Sequence, residues 1–330
     1  MFGVRAGAVL GAMVVCAGWL GASDIAQAQN VSKNQSATKQ FGDELSFELY
    51  GGYLTGESRE VVFDNGGRKI SELHWKIERA AVIGGIASVR PLDWLTLKVN
   101  GWTNIAASNR MDDYDWLVPP LDQWSDLSRH PDTRMSRSYT IDASFALRVV
   151  SLKSTPHFDA ATVSVLGGYR WFSMGWTAYG GSFLSSSDPG FRDESGTFAN
   201  APVISYRQWM ETPFIGLGGT LHKDRWALSA EVIGSVWAKG NDRDDHHLRT
   251  IMFEDKFDKM SMIAANLAVS YRLTDLIAVV GRADFQNYFE AKGDTTATNY
   301  SSGAVSHGTD VAGMSHYSLL LSLGVRAKLY

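Results

Sequence analysis

The residues best equipped for chemistry in this 330-residue chain fall in two short acidic clusters. One is Met111-Asp112-Asp113-Tyr114-Asp115-Trp116, the other Asp242-Arg243-Asp244-Asp245-His246. Asp113 and Asp115 are two positions apart, so an extended backbone turns both carboxylates to one face. Asp244 and His246 share that spacing, which sets a carboxylate beside an imidazole. Such a carboxylate fixes the ring tautomer and stabilises its protonated form, as in a Ser-His-Asp triad. Two further carboxylates facing this pair complete a set able to activate water, which is hydrolase chemistry. The same residue types suit a divalent cation, and acidic loops are often simply solvated. Neither a Gly-x-Ser-x-Gly elbow nor a zinc-type helix with paired His is present. Ser128, with His130 two residues on and Pro131 after it, reads as a structural loop serine.

The elements that must hold these clusters are strands. Tyr139, Ile141, Ala143, Phe145, Leu147 and Val149 alternate with Thr140, Asp142, Ser144, Ala146 and Arg148. The same period of two recurs around residue 267. One apolar face and one polar or small face over about ten residues is the strand signature of a membrane barrel. Ten such segments occur, at 44–55, 72–89, 94–106, 135–151, 160–178, 202–218, 225–239, 258–273, 276–290 and 313–329. Short turns at 90–93, 153–159, 220–224 and 273–275 alternate with long polar loops at 56–71, 107–134, 179–201, 240–257 and 291–312. The prediction is an all-β, ten-stranded antiparallel transmembrane β-barrel with long extracellular loops. Both acidic clusters then lie in long loops at one rim. In the last segment Leu319, Leu321, Leu323 and Val325 share a face; Leu329 takes that phase and Tyr330 falls out of it, a register that a bulge near Arg326 would restore.

Composition agrees. Aromatics make up 12% of the chain, with 11 Trp, and Gly is frequent. Arg5 followed by the small and apolar stretch 6–22, with Ala26-Gln27-Ala28 behind it, reads as an export signal over 1–28. Residues 29–43 read as a flexible lead-in and 44–330 as one barrel domain. Cys16, the sole cysteine, falls in the signal, so no disulfide or Cys-ligated metal is expected. A net charge of −4 offers no basic field for nucleic acid.

Taken together, a set of segments resembles the omptins, outer-membrane aspartyl-type endopeptidases of Gram-negative bacteria. They are Gly66-Gly67-Arg68-Lys69-Ile70-Ser71-Glu72-Leu73, Gly101-Trp102-Thr103, 111–116, Ser128-Arg129-His130-Pro131-Asp132-Thr133, Gly180-Gly181-Ser182, Gly190-Phe191-Arg192-Asp193 and 242–246. The resemblance implies a catalytic groove at the extracellular mouth of a barrel in the bacterial outer membrane. It implies Asp113 and Asp115 on one wall, Asp244 and His246 on the other, and no metal or other cofactor. A water held between Asp113 and His246 would attack the scissile carbonyl, with Asp244 orienting the ring and Asp115 organising the water. Cuts are implied at basic, preferentially dibasic, sites of cationic peptides and proteins. Glu60 and Asp242 match the acids that receive the residue before the cut, and Asp126 the acid associated with the residue after it. A carboxylate-lined groove attracts cationic peptides on physical grounds alone.

The family also implies lipopolysaccharide as an activating lipid on the outer wall. Tyr169 matches that site, but Trp171 and Ser173 stand where an acid and an Arg are usual, and Trp209 where a basic residue is. Arg170 and Arg207 are expected on the opposite face. Trp171 and Trp209 then read as interfacial anchors, and His247, where an aromatic is common, as an exposed loop residue. The rival readings are a non-enzymatic barrel (porin or adhesin) and a metal-dependent barrel hydrolase.

Overall fold

The computed structural model describes residues 45–119 and 122–329. The expected signal, the lead-in, Cys16 and Tyr330 lie outside them. Thirteen strands and no helix make up the described residues: β1 (Leu45–Phe63), β2 (Lys69–Leu92), β3 (Leu95–Asp115), β4 (Asp126–Met135), β5 (Tyr139–Leu152), β6 (Ala160–Tyr179), β7 (Ser182–Ser185), β8 (Glu194–Thr197), β9 (Pro202–Lys223), β10 (Trp226–His246), β11 (Ile251–Arg272), β12 (Ile277–Asn299) and β13 (Val305–Leu329). Ten of them close a ring, β1–β2–β3–β5–β6–β9–β10–β11–β12–β13, with β13 returning to β1. Every ladder is antiparallel, and the β1–β13 pairing closes the ring so that no edge is left in it.

β4 is the upward continuation of β5 after a break at 136–138. It takes over the pairing with β3 and β6 above the break. The main chain of Ser138 and the Asn104 side chain stitch the gap, with Ser138 N donating to Asn104 Oδ1 at 2.8 Å. The β7–β8 hairpin adds to the free part of β4.

Period-two patterning explains which end sits in lipid. Leu49, Val99, Ile215, Leu217, Leu323 and Val325 are all more than half exposed on the outer wall. The inner face at the same level is charged: Glu48 meets Arg282 and Arg326, Asp142 meets Arg170, and Lys98 meets Glu231. These groups line a polar cavity of about 640 Å³. Buried ions persist there because each is paired.

Above the cavity the interior becomes apolar. Trp75, Trp176 and Tyr206 stack with centroids 5.4–6.2 Å apart. Phe172, Tyr288, Met210, Met260, Met314 and Phe257 fill the remaining cross-section, each with 1% exposure or less. This packed layer is the floor on which the acidic residues rest.

The expected long loops are mostly strand. β10 runs to His246 and β11 starts at Ile251, leaving a four-residue turn where a loop over 240–257 was expected. Likewise β3 continues to Asp115. Beyond the lipid the outer face no longer has to be apolar, so the alternation fades while the ladder bonds continue. At a rise near 3.3 Å per residue, strands of 19–25 residues far exceed the 9–11 needed to span a bilayer. Both acidic clusters therefore sit on rigid strand ends. No bulge occurs near Arg326: β1 and β13 pair without a shift from Leu45↔Leu329 to Val62↔Ala312, and Leu329 keeps the outward phase.

Candidate active site

Asp113 and Asp115 face inward from the end of β3, and Asp244 and His246 from the end of β10. In the ring these two strands are separated by β4/β5, β6 and β9 one way and by five strands the other, so they stand nearly opposite. The walls nevertheless approach. Asp113 and His246 each act on the other's protonation, and Asp115 also feels His246.

On the first wall, β2 lies beside β3 with Ser71 opposite Asp115 and Leu73 opposite Asp113. Ser71 Oγ donates to Asp113 Oδ1 at 3.2 Å. Burial, and then the charge of Asp115, push the Asp113 carboxyl up to about 8, against the opposing pull of His246 and Ser71. Burial likewise raises Asp115. At neutral pH the pair therefore retains a proton between them. Ser128, taken as a loop serine, lies within β4 directly across from Asp113. Asp126 stands opposite Asp115 at the start of β4. Its carboxylate accepts from Ser125 Oγ at 2.5 Å and from the Ser186 main chain at 3.2 Å. It is thus on the acidic wall, held by the loops above.

On the second wall, Asp244 is fully buried and its Oδ2 lies 2.5 Å from His246 Nε2. The ring meets Phe253 edge-on at 5.4 Å. Burial alone would lower the imidazole, but the charge and hydrogen bonding of Asp244 outweigh it, so His246 lies above its ordinary value. Arg249, in the turn after β10, opposes that rise and favours the ionised forms of Asp113 and Asp115. His247 is exposed, with Nε2 2.8 Å from Ser205 Oγ.

Below the level of these four residues, Glu60 of β1 and Asp242 of β10 come together, 3% and 1% exposed. Tyr206 Oη donates to Asp242 Oδ2 at 3.1 Å. Burial and the neighbouring acids raise both carboxyls well above their ordinary range. Sequence reading missed Ser71, Tyr206 and Arg249 as contributors. Ser71 stands opposite Asp115 only through the β2–β3 register, which the sequence does not show.

A model of the omptin family matches residues 41–329. The chain belongs to the omptin family. It is 31% identical to the plasminogen activator of Yersinia pestis over 302 residues, 90% of this chain and 93% of that one. With the outer membrane protease OmpP of Escherichia coli it shares 29% identity, covering 89% of this chain and 94% of the relative. The crystal structure of the outer membrane protease OmpT from Escherichia coli superposes with a TM-score of 0.83 at 26% identity, covering 89% of this chain and all of that one. As an omptin, the protein is a transmembrane-barrel protease of the outer membrane.

The outer wall of this omptin differs in part from expectation. Tyr169 lies there, its hydroxyl donating to Glu211 at 3.1 Å and its ring 4.7 Å from that of Trp171. Arg170 points inward to Asp142 and Gln286, as its phase predicts. Arg207 does not: it is exposed on the same face as Trp209, two residues on, because alternate residues of one strand share a side. Its Nη2 donates to the Arg137 carbonyl at 3.2 Å.

Proposed function

We propose that this omptin is an aspartyl-type endopeptidase that cleaves cationic peptides and proteins at basic, preferentially dibasic, sites, with its groove on the extracellular side. The observation that carries the reading is the pairing of His246 with buried Asp244 at 2.5 Å while its ring also feels Asp113 across the mouth. A water seated between Asp113 and His246 loses a proton to the imidazole as its oxygen attacks the scissile carbonyl. Asp244 holds the tautomer and balances the imidazolium that forms. Asp115 and Ser71 set the orientation and charge of Asp113. The imidazolium then returns the proton to the leaving amine, so no covalent enzyme intermediate is needed.

Specificity on this reading comes from Glu60 and Asp242, which receive the basic side chain before the cut. Asp126 lies on the wall that meets the residue after it. Each well-formed contact between a guanidinium and a carboxylate would favour a basic side chain by about 1.5–3 kcal/mol. Lipopolysaccharide would engage the outer wall through Tyr169, and Arg207, farther up β9 opposite Gly175, supplies a cation on the same face. Adding it to the detergent-purified protein tests that part.

The central test is cleavage of a fluorogenic Arg-Arg peptide by wild type, D113N and H246A. Both variants should lose at least about a hundredfold in kcat. Equal cleavage by all three would sink the assignment. Loss of activity on chelation, restored by a divalent ion, would favour the metal-dependent alternative.

A further inference from the structure

Asp255 of β11 was not anticipated from the sequence, and the barrel places it directly opposite Asp242 in the β10–β11 ladder. It is 8% exposed. We propose that Asp255 is a specificity-determining residue that forms, with Glu60 and Asp242, a three-carboxylate receptacle for the basic side chain before the cut, and that this side chain enters by displacing a proton held in the empty receptacle. The inference rests on the endopeptidase reading above and adds a residue and a proton linkage to it.

Three facts support it. Glu60 Oε2, Asp242 Oδ1 and Asp255 Oδ1 are buried acceptors without any hydrogen-bond partner, one from each residue. Buried acceptors without donors are costly, and three converging on one place call for a ligand rich in N–H groups. A guanidinium brings five donors and an ammonium three. Second, none of the ion pairs among the described residues reaches Glu60, Asp242 or Asp255. The groups facing them are Tyr206 from β9, Asp244 from β10 and Thr295 from β12, none of them cationic. Third, the carboxyl groups of Asp242 and Asp255 lie within hydrogen-bonding reach of each other. Two carboxylates cannot share a hydrogen bond unless one carries a proton.

The proton balance follows. Like charges directly opposed in a ladder, desolvated and without a counter-ion, cannot all be ionised. Burial pushes Asp255 up to about 6, and the Asp242 and Glu60 carboxyls are raised further. The empty receptacle therefore holds at least one proton at neutral pH. When the side chain of an Arg or Lys enters, its fixed positive charge replaces that proton, which leaves to solvent. Affinity for a basic side chain should thus improve as pH rises, separately from any effect on the chemical step.

The test combines calorimetry and kinetics on the full-length protein in detergent. Ethylguanidinium is titrated into wild type at pH 7 in two buffers of different ionisation enthalpy, and the difference in heat gives the protons released. About one proton per site is expected. For peptide cleavage, KM of wild type should fall with rising pH by up to about tenfold per unit across the linked range. In D255N, KM at pH 7.5 should rise about tenfold with a shallower pH slope, while kcat changes little. Identical heats in the two buffers would overturn the linkage, and this arm needs no variant. If E60Q and D242N raise KM while D255N matches wild type in KM and slope, the role of Asp255 fails and the endopeptidase reading stands. If all three acids can be neutralised without effect on cleavage at basic sites, the specificity reading itself fails.

Discussion

Ser71 on β2 and Asp113 on β3 are joined by a 3.2 Å hydrogen bond between neighbouring strands, so a hydroxyl outside the acidic clusters helps keep a buried carboxylate ionisable. Removing it should push Asp113 still higher. S71A is expected to move the pH–rate profile toward alkaline pH and to lower kcat at pH 7 by roughly fivefold, the worth of one hydrogen bond of about 1 kcal/mol. An unshifted profile would show that Ser71 does not tune the site.

The wild-type profile has a defined direction. His246 must be neutral to accept a proton, and Asp113 must be ionised to hold the water. Both sit above their ordinary values, with Asp113 at about 8. Both lose protons as pH rises, so kcat should climb from pH 5.5 through pH 8. A flat stopped-assay profile over that range would contradict the mechanism.

Stability should run the other way. Glu60, Asp242, Asp255 and Asp113 have folded-state values raised by burial. A raised acid binds more protons folded than unfolded, so its stabilisation is complete below the unfolded value near 4 and is lost as pH rises toward the folded value. The melting temperature in detergent should therefore fall between pH 5 and pH 8. D242N should melt higher than wild type at pH 8 while binding basic peptides worse, a trade of function for stability. A melting temperature that rises with pH would refute this account.

The floor beneath the site is a further target. Trp75 is fully buried against both Trp176 and Tyr206, and Tyr206 holds Asp242. W75A should cost about 3–5 kcal/mol by leaving a cavity. It should also raise KM for Arg-containing peptides, because the platform under Asp242 loosens. Unchanged KM with lowered stability would show that floor and pocket are independent.

Much of this was legible in the chain because lipid imposes a rule on alternate residues. Leu321, Leu323 and Val325 had to face outward, and the ten ring strands follow from segments of that kind. Strand lengths were not legible, because Asn241, Arg243 and Asp245 face outward above the lipid while Asp242, Asp244 and His246 face inward. Polar residues on both faces look like a loop. The i, i+2 spacing did place Asp113 with Asp115, and Asp244 with His246, on one face. Asp255 and Ser71 were missed for a different reason: each matters through the strand beside it, and register across a ladder is a property of the fold. Arg207 was expected on the inner face, but it stands two residues before Trp209 on one strand and so shares its outward side.

The stacked indoles and methionines between the polar cavity and the acidic mouth make this cylinder a stoppered one. Inserted into a planar bilayer under voltage, the intact protein should pass no steady ionic current, whereas an open pore of similar girth would.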